Sequence, residues 1–481
     1  MTKIAKKKSA ARAPARASHD TAPPDAFRAF MLSKWKPQKT RKIPLVKGAK
    51  NFHARRRALS ERFPGEVLVI PTGHEKVRAN DTFYRFRPGS DFYYLTGNVE
   101  PDCVLVLEPR GKKGHRDVLF VEPNPGRSDE TFFLDRNKGE LWVGPRMGVP
   151  ESLAHFGVDD CRGLDELEGY LSKIKGPVRV LRGFSEAVEK AVKSNRRKDE
   201  ELATVLSEMR LIKDDLEIRE LQKAIDSTKR GFEDIIARLK VAKTEREIEG
   251  VFFLRARTEG NDVGYGTIAA SGANACILHW TRNDAPVKPG DLVLIDAGVE
   301  ADTLYTADVT RVLPVSGTFS PEQREVYELV LAANLAAIAE VKPGNDFLDP
   351  HRAAMRVLAK GLERMGILKD AEEALREENQ FYRRYTLHNT SHMLGLDVHD
   401  CAKARTEVYR HGKLQPGMVL TIEPGLYFQE DDLTVPAKYR GIGVRIEDDV
   451  LVTARGCRVL TSDIPKGADE VEAWMKEVWE R

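Results

Sequence analysis

Residues of the types that ligate metal ions lie in short strand-like segments of the C-terminal half of this 481-residue chain: Asp296, Asp308, His392, Glu423 and Glu447. Oxygen-rich sites with one nitrogen suit divalent ions such as Mn, Co, Fe or Zn. Four carboxylates are more than one ion needs, and two dications would nearly balance their charge. The pattern therefore predicts strands that converge on two metal ions, an arrangement that activates water.

The segments around these residues are specific. Asp296 ends the apolar run of DLVLIDAGVE, and Asp308 lies in LYTADVTRVLPV, which is typical of the returning strand of a hairpin. Pairing of such strands can bring the two carboxylates to within about 5 Å of each other. An isolated carboxylate at the end of an apolar strand is costly to bury, so Asp296 favours a paired or metal-bound role. The other three residues lie in HNTSHMLGLDVHD, GMVLTIEPGLY and GIGVRIEDDVLVT.

In this order and in these segments, the residues resemble the ligands of the pita-bread metallopeptidases, and within them the aminopeptidase P and prolidase branch. The resemblance covers roughly residues 50–470 and includes the N-terminal segment YRFRPGSDFYYLTGNVEPDCVLVLEP. It implies an α/β fold class, with a creatinase/prolidase-like α/β N-terminal domain followed by a pita-bread α+β catalytic domain.

The resemblance also implies a role for each ligand. Asp296 binds one ion, His392 and Glu423 bind the second, and Asp308 and Glu447 bridge the two. Mn²⁺ is the expected metal, and Zn²⁺ or Co²⁺ would also suit a carboxylate/His site. Water between two cations is nucleophilic near neutral pH, and Glu423 can accept its proton as general base.

Histidines elsewhere in these segments are further candidates. The resemblance assigns His279 and His388 to the substrate pocket, and His399 to the scissile carbonyl or to proton transfer. Nearby cations lower the pKa of an imidazole, and a neutral His can donate a hydrogen bond to a developing oxyanion. The candidate catalytic residues are thus His388, His399 and Glu423.

Two residues are candidates for support of the ligands and contact with the substrate. Arg445 lies two residues before Glu447, and alternation in a strand places both on one face, where the guanidinium can orient a ligating carboxylate. Tyr427 matches a family tyrosine near the metals.

Two further candidates for substrate contact are matched less closely. Arg410 aligns with a family arginine that meets the substrate beyond the proline when it is counted back from Glu423, but counted forward from His399 the chain has two extra residues. Trp142, in ELWVGPR, matches a tryptophan that reaches into a neighbouring subunit's active site. The alternative for Trp142 is a residue of the intradomain core.

The expected activity follows from the resemblance. A peptide bond before proline is a tertiary amide without an N–H, and the family binds the ring in a pocket lined by its histidines. The leading hypothesis is a metalloaminopeptidase that releases the N-terminal residue of peptides with proline second. An Xaa-Pro dipeptidase, which shares all five ligands, is the alternative. A non-catalytic binding module of this fold would typically have lost ligands, and creatinase works without metal.

Composition limits the partners and the compartment. Residues 1–50 carry 14 Lys/Arg and 2 Asp, whereas the chain has a net charge of +3, so the remainder is acidic and does not indicate a nucleic-acid surface. We find no apolar run of about 18 residues that would predict a membrane span. Five scattered cysteines without CxxC favour a reducing compartment. We expect a cytoplasmic protein, but the Arg/Ala-rich N-terminus would also suit an organellar targeting segment. The resemblance implies a homo-oligomer, a dimer or a tetramer.

Three regions are predicted along the chain: a basic, disordered tail (1–45), an N-terminal aminopeptidase P-like domain (46–212) and the catalytic domain (213–475). In the catalytic domain, Asp214 or Asp215, Ser320 and Asp349 mark helix starts. Helices and strands recur on either side of residue 320, and the resemblance implies two pseudo-symmetric halves with the metals on the sheet between them.

Overall fold

A computed structural model describes residues 22–36, 40–111 and 114–481. The chain divides into two compact units between Asp199 and Glu200. This division falls within the helix Arg196–Met209, whereas the sequence predicts a boundary after the end of that helix, at 212/213.

The N-terminal unit contains a five-stranded mixed sheet in the order β6-β5-β4-β1-β7. The central strand β1 is a continuous apolar run that is buried at every position, as expected where both faces of a sheet are covered. The helices and strands are α1 Asp25–Leu32, α2 Ala49–Arg62, β1 Val67–Pro71, β2 Val77–Ala79, β3 Thr82–Phe83, α3 Ser90–Thr96, β4 Val104–Pro109, β5 His115–Val121, α4 Thr131–Leu134, α5 Glu140–Val143, α6 Val149–Phe156, β6 Asp160–Gly163, α7 Leu167–Leu171, β7 Val178–Val180, α8 Glu186–Ala191 and α9 Arg196–Met209.

Part of the predicted disordered tail is ordered. Within it, α1 forms, and the ring of Phe27 lies 6.3 Å from that of Phe133, while Trp35 lies 5.5 Å from Phe132. The prediction relied on the scarcity of large apolar residues, but these two aromatic side chains have partners about a hundred residues away in sequence. The tail before residue 22 lies outside the described residues.

The C-terminal unit repeats one arrangement of helices and strands. Its elements are α10 Asp215–Leu239, α11 Glu245–Glu259, β8 Asp262–Val263, β9 Ile268–Ser271, β10 Leu292–Ala297, β11 Val299–Glu300, β12 Val309–Pro314, α12 Pro321–Ala339, α13 Asp349–Arg364, α14 Ala371–Leu375, β13 Val419–Ile422, β14 Gly425–Tyr427, β15 Gly443–Arg445, β16 Asp448–Val452, β17 Cys457–Val459 and α15 Ala468–Glu480. The first half has α10, α11 and the sheet β12-β10-β9, and the second has α12, α13 and the sheet β13-β16-β17.

Local sequence signals set the helix starts of this unit. The Asp214 side chain accepts hydrogen bonds from the first backbone N–H groups of α10, and Ser320 forms a capping box with Gln323 at the start of α12. Both predicted starts are confirmed, as is that of α13 at Asp349.

Among the described residues, none of the helices combines the length and the apolar character that a bilayer crossing requires.

Candidate metal centre

All the predicted ligands line one cavity of about 630 Å³ in the C-terminal unit. They come from strand ends: Asp296 from β10, Asp308 from the residue before β12, Glu423 from the residue after β13 and Glu447 from the junction of β15 and β16. β10 and β12 are antiparallel, with Asp296 opposite Thr310, so the predicted hairpin returns the second aspartate beside the first.

Three of the ligands lie closest together. Ligand atoms of Asp308, His392 and Glu447 all lie within 4.8 Å of one another. His392 Nε2 is 3.3 Å from Asp308 Oδ2 and 3.5 Å from Glu423 Oε1. Because metal–ligand distances are about 2.0–2.2 Å, these separations leave room for a cation between the groups. The residues therefore fit a divalent metal.

The electrostatics of the centre lead to the same conclusion. Burial raises the pKa of Glu423 to about 7, with the Asp308 charge adding to the effect. Burial and Asp308 likewise raise the pKa of Glu447 well above its usual value. Burial opposes the charge of His392, but Asp308 and Glu423 outweigh it and raise the pKa to about 9. The cluster holds protons because its negative charge is in excess, and divalent cations would replace them.

Tyr265 supports the two aspartates and was missed by the sequence analysis. Its buried hydroxyl lies 2.7 Å from Asp296 Oδ1 and 2.5 Å from Asp308 Oδ1, so the two carboxylates share one O–H donor. A tyrosine carries no signal of this role by itself. Its place just before β9, which pairs with β10 beside Asp296, is the signal that could have found it.

Arg445 links the ligands as an orienting group. Its buried guanidinium donates to Asp296 Oδ2 (2.6 Å), to Thr310 Oγ1 (3.1 Å) and to Tyr427 Oη (3.0 Å). Thr310 in turn donates to Glu447 Oε2 at 2.7 Å. The carboxylate that Arg445 contacts directly is therefore Asp296, and it reaches Glu447 through Thr310.

The network continues from Tyr427 to a candidate histidine. The Tyr427 hydroxyl lies 2.7 Å from His388 Nε2, and His388 Nδ1 lies 2.8 Å from the Asn389 carbonyl. A carbonyl only accepts, so Nδ1 carries the proton and Nε2 accepts from the tyrosine. Burial lowers the pKa of His388 to about 3, with Arg445 adding to the effect. The imidazole is neutral, as predicted, but burial is the leading cause.

His279 and His399 line the same cavity. The rings of His399 and His392 lie 4.5 Å apart with their planes at 81°. Burial lowers the pKa of His399, and His392 adds to the effect. His399 is therefore a neutral imidazole beside a predicted ligand, which suits a hydrogen-bond donor.

The glutamate ligands are also held from the helix behind them. The fully buried Asn334 of α12 donates to the carbonyls of Ile422 (3.1 Å) and Ile446 (3.3 Å), the residues just before Glu423 and Glu447. One amide thus fixes the backbone spacing of both glutamates.

Two predicted residues are not among those that line the cavity. Arg410 is exposed on the turns after residue 400. Trp142 lies in the N-terminal unit, on the short helix α5, and is 52% exposed, so it is not a core residue. Its indole donates to the Phe133 carbonyl at 2.8 Å.

Comparisons with known proteins cover both units. Residues 219–454 match metallopeptidase family M24, and residues 52–180 match the N-terminal domain of aminopeptidase P. Xaa-Pro aminopeptidase 1 of Streptomyces coelicolor is 54% identical over 449 residues, which are 92% of this chain and 91% of that protein.

Solved structures agree. Aminopeptidase P from Escherichia coli with the inhibitor Pro-Leu is 33% identical, has a TM-score of 0.80 and covers 91% of this chain and 100% of its own. The Zn-substituted E. coli enzyme in complex with product is 33% identical, with a TM-score of 0.80, over 90% of this chain and 99% of its own. These matches confirm the predicted fold class, an α/β domain of the aminopeptidase P type before a pita-bread catalytic domain.

Proposed function

Because the chain belongs to metallopeptidase family M24, we propose that it is an Xaa-Pro aminopeptidase that uses two divalent metal ions. It releases the N-terminal residue from peptides in which proline is second. The observation that carries the proposal is the convergence of all five ligand-type residues in one cavity with neutral His388 and His399. The full-length likeness to a named Xaa-Pro aminopeptidase supports the substrate class.

We assign the metal ions to the five residues as follows. Asp296 holds one ion, His392 and Glu423 hold the other, and Asp308 and Glu447 bridge them. Mn²⁺ is the proposed metal, with Zn²⁺ or Co²⁺ as alternatives. When bound, such ions polarise a scissile carbonyl and lower the pKa of water.

The remaining roles belong to side chains. Glu423 accepts the proton of the attacking water, which its raised pKa of about 7 in the metal-free site favours. His399 donates a hydrogen bond to the carbonyl oxygen as negative charge develops there. His388, oriented by Tyr427, and His279 bind the proline side of the substrate. Arg410 meets residues beyond the proline.

We further propose a cytoplasmic homo-oligomer in which Trp142 contributes to a neighbouring active site. The five described cysteines are free thiols, in keeping with a reducing compartment. Large exposed apolar side chains at and beside Trp142 support an interface there.

Peptide length separates the proposal from the dipeptidase alternative. The Mn²⁺-loaded protein is given Arg-Pro-Pro or Arg-Pro, and the products are identified by mass. An aminopeptidase releases Arg from the tripeptide more efficiently than it cleaves the dipeptide. Preference for Arg-Pro would instead identify an Xaa-Pro dipeptidase.

A ligand variant tests the two-metal site. Asp308→Ala should abolish binding of the ion pair and hydrolysis, because we assign Asp308 as a bridge. Asp302→Ala, an exposed aspartate of the same hairpin, is the matched control and should bind metal normally. Two ions per chain and full activity in Asp308→Ala would remove the proposed site.

A further inference from the structure

The turn that carries His399 is fixed to a buried ion pair. Lys213 Nζ lies 3.1 Å from Asp400 Oδ2, and the two side chains are 0% and 1% exposed. Arg210 Nη2 lies 3.2 Å from the other oxygen, Oδ1. Burial opposes ionisation of Asp400, but Arg210 and Lys213 outweigh it and hold the pKa of this carboxyl below its usual value. The residue directly after His399 is therefore a charged group held on both oxygens.

Lys213 is itself held in place. Its ammonium donates to the Arg210 carbonyl at 2.7 Å, and its backbone N–H donates to the Gly417 carbonyl at 2.8 Å, next to the start of β13. The following residue, Asp214, caps α10. The cation thus belongs to the rigid frame of the catalytic unit, unlike an ordinary surface lysine, which samples many rotamers.

The backbone of the turn closes around the same carboxylate. The Asp400 N–H donates to the Met393 carbonyl at 2.9 Å, and the Cys401 N–H donates to Asp400 Oδ1 at 2.9 Å. Cys401 has a φ of 61°, a left-handed conformation that is unfavourable for a side chain other than glycine. A Cβ on Gly395 would overlap Asp400 Oδ2, so only glycine allows this close approach. A strained turn of this kind persists when its surroundings determine it.

We propose that Lys213 and Arg210 are positioning residues for His399. By fixing Asp400, they aim the preceding imidazole into the cavity beside His392. The inference rests on the proposed function, in which His399 contacts the scissile carbonyl. A misplacement of about 1 Å can lower a rate by about 100-fold, so a distant ion pair can control kcat through this turn.

The test is a double-mutant cycle with His399. Lys213→Met alone would leave Asp400 charged and buried, which is strongly destabilising, so we pair it with Asp400→Asn. The pair variant should bind Mn²⁺ as the wild type does and hydrolyse Arg-Pro-Pro with a kcat lower by about 10- to 100-fold and a nearly unchanged KM. Adding His399→Ala should cause no further loss beyond that of His399→Ala alone, because the pair acts through His399.

A control separates positioning from stability. Arg56 and Asp117 form a comparably buried ion pair in the N-terminal unit, 2.6 Å apart. Arg56→Met with Asp117→Asn should lower the melting temperature without the selective loss of kcat. Losses that add in full with His399→Ala, or an unchanged kcat in the Lys213/Asp400 variant, would overturn the inference alone. An unchanged kcat in His399→Ala would overturn the proposed role of His399 as well.

Discussion

Tyr265 is the residue whose role depends most on tertiary structure. Its single hydroxyl touches two carboxylates that we assign to different positions of the metal pair. Groups that orient metal ligands typically contribute about 10- to 100-fold in metal affinity. Nothing in its own segment marks it as functional, because its contacts come from strands about 30 and 40 residues further along the chain.

Tyr265→Phe should therefore weaken Mn²⁺ binding by about 10- to 100-fold while the fold survives. Titration calorimetry measures the affinity. Tyr305→Phe is the matched control, because Tyr305 is a buried tyrosine of the same hairpin whose hydroxyl donates to Glu217 and not to a ligand. Equal Mn²⁺ affinity in the wild type and Tyr265→Phe would contradict the supporting role.

The raised pKa values of the centre predict a pH-dependent stability without metal. Folding raises the pKa of Glu423 to about 7 and that of His392 to about 9. Between about pH 6.5 and 8.5 the folded, metal-free protein then binds more protons than the unfolded chain, so its free energy of unfolding falls as the pH rises. With saturating Mn²⁺ the trend should weaken or reverse, because the ions compete with these protons.

Thermal melting of metal-free protein across this pH range tests the sign. Glu423→Gln is the control, because it removes one titrating carboxylate and should reduce the slope. An identical slope in the wild type and in Glu423→Gln would show that these groups are not its source.

At the scale of elements, local signals were predictable and distant ones were not. The caps at Asp214 and Ser320 were read correctly because each cap and its partners lie within a few residues of one another. For α1 the sequence predicted disorder, because the aromatic partners of Phe27 and Trp35 lie in and beside α4. Trp142, considered at the sequence level as a possible strand residue, lies on a single helical turn. Which segments converge was predictable, but which side chains touch was not.

The packing of α1 can be tested on its own surface. Phe27→Ala combined with Trp35→Ala removes two edge-on aromatic contacts, each about 0.5–1.5 kcal/mol. We expect the melting temperature of the N-terminal unit to fall by about 2–6 °C. Phe30→Ala, on the same helix but 74% exposed, should leave it unchanged. Melting indistinguishable from the wild type in the double variant would show that α1 contributes no stability.

At the scale of the whole molecule, the two-unit architecture could be predicted because its motifs are spread over most of the chain. The resemblance placed five ligands in five separate segments, and the structure brings all five to one cavity. The resemblance could not supply the assembly. A residue that completes a neighbour's site leaves its mark on its own chain as unexplained exposure, and that mark is visible only in the folded unit.

Such exposure occurs at Trp142. Leu141, Trp142 and Val143 are 56%, 52% and 51% exposed on one short helix, a cluster of the kind that marks an interaction surface. The indole is already fixed by its hydrogen bond to Phe133 and by Arg136, whose guanidinium carbon lies 5.0 Å from the ring centroid. Little ordering remains to oppose binding, which favours a rigid wall for a partner's substrate.

If Trp142 forms that wall, light scattering at the assay concentration should give at least a dimer. Trp142→Ala should then lower kcat/KM on Arg-Pro-Pro while the melting temperature stays nearly the same, because a half-exposed side chain contributes little to its own unit. Leu153→Ala, also exposed in the N-terminal unit at 39%, is the matched control and should keep full activity. A monomer with full tripeptide activity would refute the cross-subunit role, since no partner would be present to supply or receive the tryptophan.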